Sequence, residues 1–217
     1  MLKHRRFTLV AGFFFATAVF FLGWWLIERG PVQLTTTTSG IPRNALELAK
    51  ENYHTDIKKA ALAYDVPYEY LMALTVLECS GKKPAGTRFE KAVYKRLLQV
   101  KSGERHKYEN VKKRHLEDAT DDAIRNLATS WGPFQLMGYK CIGMDVNVAD
   151  IRGDDAVLQG ARWISDEYGR MLKKKQFQDA FHYHNTGRRF PKSGKPTTHD
   201  PNYVNRGLEY MKYFDQN

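Results

Sequence analysis

Cysteine is scarce in this chain, with Cys79 and Cys141 the only two among 217 residues. That excludes a disulfide-stapled scaffold, and without a CxxC pair or a Cys/His spacing it suggests no zinc site. One disulfide or two free thiols are both open. A sustained apolar/polar alternation is also missing, so an extended sheet is not expected and any strand pairing should be a small hairpin. There is no internal repeat. Acidic residues run short in one place: residues 82–115 hold 12 Lys and Arg against three acids (Glu90, Glu104, Glu109), a net +9. At 42% hydrophobic and 27% charged, the chain is nonetheless not disordered by composition.

Long apolar runs are absent with one exception. Residues 7–27, FTLVAGFFFATAVFFLGWWLI, carry no charge over 21 positions and hold six of the 12 phenylalanines and two of the four tryptophans. A helix of that length, at about 1.5 Å per residue, spans a bilayer core. Lys3, Arg5 and Arg6 precede it, so the positive-inside bias keeps residues 1–6 in the cytoplasm and sends the rest across. The run is longer than a signal-peptide core, and Trp-Trp-Leu-Ile-Glu-Arg is a poor cleavage site, so an uncleaved single-pass anchor in the inner (cytoplasmic) membrane is expected. Residues 28–44, with four consecutive threonines between two prolines, read as a tether. The remaining stretch, 45–217, is the size of one ordinary domain.

That domain is expected to be mainly α. Asn44 is a plausible N-cap for a helix to residue 64, with Leu46, Ala49, Tyr53, Ile57, Ala60 and Ala61 on its apolar face. Asp65-Val66-Pro67 restarts the chain, and YEYLMALTVLE is apolar nearly all round, as befits a central buried helix stopped by Gly81. Further helices are expected at 91–98, 118–128, 155–172, 177–183 and 203–213. A carboxylate desolvated at the end of an apolar helix keeps its proton more readily, which is what a glycosidic general acid needs. Glu78 stands at such an end. The competing reading is a solvated helix-end acid paired with a nearby lysine.

Five motifs occur in order: Glu78-Cys79-Ser80-Gly81; Arg88-Phe89-Glu90; Ser130-Trp131-Gly132-Pro133-Phe134-Gln135-Leu136-Met137-Gly138; Tyr183-His184-Asn185-Thr186-Gly187; and Asn202-Tyr203-Val204. Together they resemble the lysozyme-like superfamily, in particular lytic transglycosylases, goose-type lysozymes and bacterial N-acetylmuramidases, over about residues 65–213. The resemblance implies a lysozyme-like α-helical domain that cleaves peptidoglycan glycan strands without a metal or other cofactor. Glu78 matches the acid that protonates the oxygen between N-acetylmuramic acid and N-acetylglucosamine. Gln135 matches a cleft residue, Asn185 and Gly187 the Asn-x-Gly of a later loop, and Tyr203 a tyrosine facing the acid. Ser80, Met137 and Tyr183 lie within the same motifs and are expected to bind substrate with them.

Two positions depart from the family pattern. Ser usually comes directly after the acid, where this chain has Cys79 and then Ser80. Many relatives have Tyr before the loop Asn, where this chain has His184, with Tyr183 one place earlier. His182, His184 and His199 are otherwise expected to be polar loop residues.

Hydrolysis normally needs a second carboxylate, whereas a lytic transglycosylase uses the muramic acid 6-hydroxyl and releases a 1,6-anhydro product. Glu90 is the candidate second carboxylate; the alternative is a surface acid balancing Arg88, Lys91, Lys95 and Arg96. Asp121, Asp122 and Asp145 are weaker candidates. With one acid standing out, the lyase outcome is favoured over the muramidase. The alternative function is a catalytically inactive glycan-binding or scaffold protein of a cell-envelope complex. Expected partners are glycan strands, the inner membrane through residues 7–27, and an envelope or secretion machine. Nucleic acid is not expected on the outer side of the membrane, and the chain carries no motif for it.

Overall fold

The computed structural model describes residues 43–216, within a compact unit that starts at Arg43. The expected anchor, 7–27, and nearly all of the expected tether lie outside the described residues. Among the described residues, no helix is long and apolar enough to cross a membrane.

The fold is mainly helical. Helix α1 (Arg43–Tyr64) begins two residues before the expected domain start, so Asn44 is inside the helix and not its cap. Its face of Leu46, Ala49, Tyr53, Ile57, Ala60 and Ala61 is buried, as the periodicity predicts. Pro67 precedes α2 (Tyr68–Cys79), in which every residue from Tyr70 to Val76 is buried. A helix enclosed on all sides needs several partners. Those partners are α1 on one side and the C-terminal α9 (Tyr203–Asp215) on the other, while α1 also packs on α7 (Ala156–Lys173). Helix α8 (Phe177–Thr186) sits against both α7 and α9. Gly207 lets α9 approach closely, because a Cβ there would lie 2.8 Å from the Phe181 ring.

A second apolar cluster, including Leu97, Val111, Leu116, Ile124 and Leu136, is built by the middle of the chain. Here lie β1 (Arg88–Phe89), α3 (Lys91–Ser102), the hairpin of β2 (Lys107–Tyr108) and β3 (Val111–Lys112), and α4 (Asp121–Leu127). After them come β4 (Thr129–Trp131), β5 (Leu136–Met137), α5 (Lys140–Met144) and α6 (Val148–Arg152). The expectation of a small hairpin alone is corrected, because a three-stranded antiparallel sheet in the order β1-β4-β5 accompanies it. In that sheet Arg88 pairs with Ser130, and Ser130 with Met137. Strands of two or three residues are too short to show a period in the sequence.

Helix α4 begins at Asp121 and not at 118, because Thr120 is its cap: the Thr120 hydroxyl accepts a hydrogen bond from the Ala123 N–H at 3.2 Å. Asp121 and Asp122 occupy the first turn of that helix, and Asp145 ends α5 in a left-handed conformation. Cys79 and Cys141 are both free and buried, which resolves the disulfide question. Burial pushes each thiol up to about 11.

Candidate active site

Glu78 is the second-last residue of α2, where the enclosed helix emerges, and its side chain keeps 17% exposure. The Tyr203 hydroxyl, at the start of α9, donates a hydrogen bond to Glu78 Oε1. Burial first, then the Glu78 charge, raises the Tyr203 pKa well above its ordinary value, so the phenol stays protonated and remains a donor. Among the described residues no donor is bonded to Oε2. One carboxyl oxygen is therefore fixed by the phenol, and the side chain is not fully enclosed.

His184 stands on the other side of the acid, with Nε2 3.9 Å from Glu78 Oε1. Its bonds define the tautomer. Nε2 lies 3.0 Å from the Phe134 carbonyl, which can only accept, so Nε2 carries the proton. Nδ1 then accepts from the Tyr168 hydroxyl at 2.7 Å, and Tyr168 is in turn reached by the Tyr70 hydroxyl at 3.2 Å. Helix α7 is non-helical at Tyr168 itself (φ −143°, ψ 19°), within the segment that faces α8. The chain Tyr70, Tyr168, His184, Phe134 thus links α2, α7, α8 and the turn between β4 and β5. An unpaired buried nitrogen in this ring would cost about 1–3 kcal/mol, which holds the imidazole in place.

Burial lowers the His184 pKa, only partly offset by Glu78 and by the bond to Phe134, so the ring is neutral near pH 7. In the unfolded chain an ordinary histidine takes up its proton near pH 6.5. The unfolded state therefore binds more protons below that pH, and stability falls as pH drops from about 6.5 towards the lower folded value, by at most about 1.4 kcal/mol per unit. Thermal melts between pH 7.5 and 5 should show this fall in the wild type and a smaller one in His184→Gln, whose amide keeps a donor for Phe134. Equal falls would assign the acid sensitivity elsewhere.

A cleft of about 660 Å³ opens beside this group. Its lining includes four predicted residues, Gln135, Met137, Tyr183 and Asn185, together with His184 and Gly187. Neither Glu78, Ser80 nor Tyr203 is part of that lining; Glu78 adjoins it at His184, whose Nε2 lies 3.9 Å from Glu78 Oε1. Trp163 adds an aromatic wall, its ring 5.9 Å from that of His184. The tip of the β2–β3 hairpin, Glu109 and Asn110, also lines the cleft, and Glu109 pairs with Lys140 at 3.8 Å.

Several predicted residues are placed differently from their expected setting. The Gln135 amide is used internally: Oε1 accepts from Ser130 Oγ at 2.8 Å, and Nε2 donates to the carbonyls of Gly86 (2.7 Å) and Gly132 (3.1 Å). It shapes the β4–β5 turn, in which Gln135 itself has φ 49°. Asn185 is exposed in the last turn of α8 and is not in a loop; the loop begins only at Gly187, which ends the helix with φ 71°. Ser80 is an exposed residue closing α2 in the left-handed conformation. Glu90 precedes α3, with Oε1 2.6 Å from Arg88 Nε and its own N–H on the Ala128 carbonyl at 2.8 Å.

The expectation of polar loop histidines fails for two of the three. His182 and His184 both belong to α8; His182 is fully buried, and the His184 side chain keeps only 6% exposure. His182 donates from Nδ1 to the Arg188 carbonyl (2.7 Å) and accepts the Thr197 N–H at Nε2 (3.1 Å), which pins the next loop to the helix. Tyr70 and Tyr168 were not legible as site residues, since nothing in a run of apolar helix marks which phenol points towards an acid. Among the described residues, no group of three His, Cys, Asp or Glu side chains is placed to hold a metal ion.

No model of a protein family, no curated protein and no solved structure matches the chain.

Proposed function

We propose that this chain is a membrane-tethered enzyme with a lysozyme-like domain that cleaves the β-1,4 bond between N-acetylmuramic acid and N-acetylglucosamine in peptidoglycan. The observation that carries the reading is Glu78 at the end of a buried helix, one oxygen held by Tyr203 and the other unbonded by the described residues, next to a cleft lined by Trp163, Tyr183, His184 and Asn185.

In this reading Glu78 gives its proton to the glycosidic oxygen as the C1–O bond breaks, and positive charge develops on the muramic acid ring. The resulting carboxylate then takes the proton of the muramic acid 6-hydroxyl, whose oxygen bonds to C1. The glycan chain is cut, a 1,6-anhydro end forms, and the acid is restored. One carboxylate suffices for both steps. In keeping with this, Glu78 is the carboxylate that acts on both His184 and Tyr203, while Glu90 is occupied by Arg88.

Mass spectrometry of products released from purified sacculi by the full chain in detergent should find 1,6-anhydromuropeptides. Reducing-end muramic acid instead would replace the lyase by a hydrolase. Binding with no products at all would favour the inactive scaffold, a reading to which the internally committed Gln135 amide lends support.

A further inference from the structure

The cationic middle of the chain sets like charges against one another. In the hairpin, Tyr108 and Val111 form the inward pair, with Val111 fully buried and Tyr108 against the Tyr139 ring at 5.2 Å. The other pair is Lys107 directly across from Lys112, both exposed. Like charges at opposed positions destabilise a strand pair. The same conflict recurs on α3, where exposed Lys91 and Lys95 are four residues apart on one face.

Nothing within the segment relieves it. Its three acids are committed: Glu90 to Arg88, Glu109 to Lys140 and Glu104 to the Ser102 hydroxyl. Among the described residues no carboxylate pairs with Lys91, Lys95, Lys107 or Lys112. Arg105 is held in place, with its Nε donating to the Lys107 carbonyl at 3.1 Å and its guanidinium over the Tyr108 ring. An uncompensated cluster of like charges raises the local concentration of an external polyanion.

Position identifies the anion. The two residues between the strands, Glu109 and Asn110, line the cleft, so the Lys107–Lys112 pair stands on the same hairpin, one strand pair back from the cleft. We infer that the hairpin is a specificity element that recognises the carboxylates of peptides branching from the glycan, so that peptide-bearing strands are preferred to bare glycan. This rests on the proposed peptidoglycan activity and adds a substrate class to it.

Binding is the readout that separates the two. The full chain in detergent is titrated with fluorescent soluble strands of matched length, either carrying their peptides or stripped of them by an amidase. The wild type should bind peptide-bearing strands roughly tenfold more tightly at low salt, with the preference shrinking as salt screens the charges. The double variant Lys107→Glu, Lys112→Glu should bind both strands alike while keeping the wild-type melting temperature or exceeding it, since the like-charge pair at 107 and 112 is still like-charged but no longer adds to a cationic lobe. Equal wild-type affinity for the two strands, or a preference that survives the charge reversal, would overturn the inference. Cleavage measured in the same samples reads the glycosidase assignment separately, so the peptide preference stands or falls whether or not strands are cut.

Discussion

Glu78→Gln is expected to lower cleavage of sacculi by about 10²–10⁴-fold, the range a positioned general acid contributes. The substitution keeps the shape of the side chain and an oxygen for the Tyr203 hydroxyl, so the site geometry is retained while the transferable proton is lost. The melting temperature should stay close to that of the wild type, and strand binding should persist. Full activity in this variant would remove Glu78 from the reaction and with it the proposed mechanism.

Gly81→Ala is expected to give the largest loss of stability, roughly 3 kcal/mol or more from backbone strain and overlap together. Gly81 has φ +71°, and a Cβ there would lie 2.4 Å from the Ala49 nitrogen and 2.6 Å from the Ala45 carbonyl oxygen. Both contacts are helix backbone, which cannot swing aside as a side chain can. The turn is also fastened to α1, since Asn52 Nδ2 donates to the Gly81 carbonyl (2.8 Å) and the Tyr53 hydroxyl to the Lys82 carbonyl (2.7 Å). Any displacement travels three residues back to Glu78, so activity should fall with stability. Gly86→Ala is the control: a Cβ there meets nothing within 4 Å, and its cost should be within about 0.5 kcal/mol. Urea midpoints for the two variants make the comparison, and equal midpoints would contradict the close approach of the α2 end to α1.

The long helices were legible because a 3.6-residue period needs length to be seen. Residues 44–64 and 155–172 provide it, whereas α5 and α6, five residues each, do not. The residue types of the site were readable for a similar reason: Glu78 ends a conspicuous apolar run, and Tyr203 comes directly after a recognisable Asn. What the sequence did not convey was who bonds to whom. Gln135 looks like a sugar ligand until its amide is found closing its own turn, and His184 looks like a displaced loop residue until α8 is seen to continue through Thr186. Both depend on contacts across about 50 positions, between Gln135 and Gly86 and between His184 and Phe134, which no local pattern records.

The acid and its phenolic donor ride on α2 and α9, the two elements that pack on each other most extensively among the described residues. Amides there should exchange with solvent only when the whole domain opens, whereas the two-residue strands of the cleft rim should open locally and at smaller cost. Warming should then loosen the wall before it disturbs Glu78. The temperature dependence of strand capture should track the hairpin, and that of the chemical step the domain as a whole.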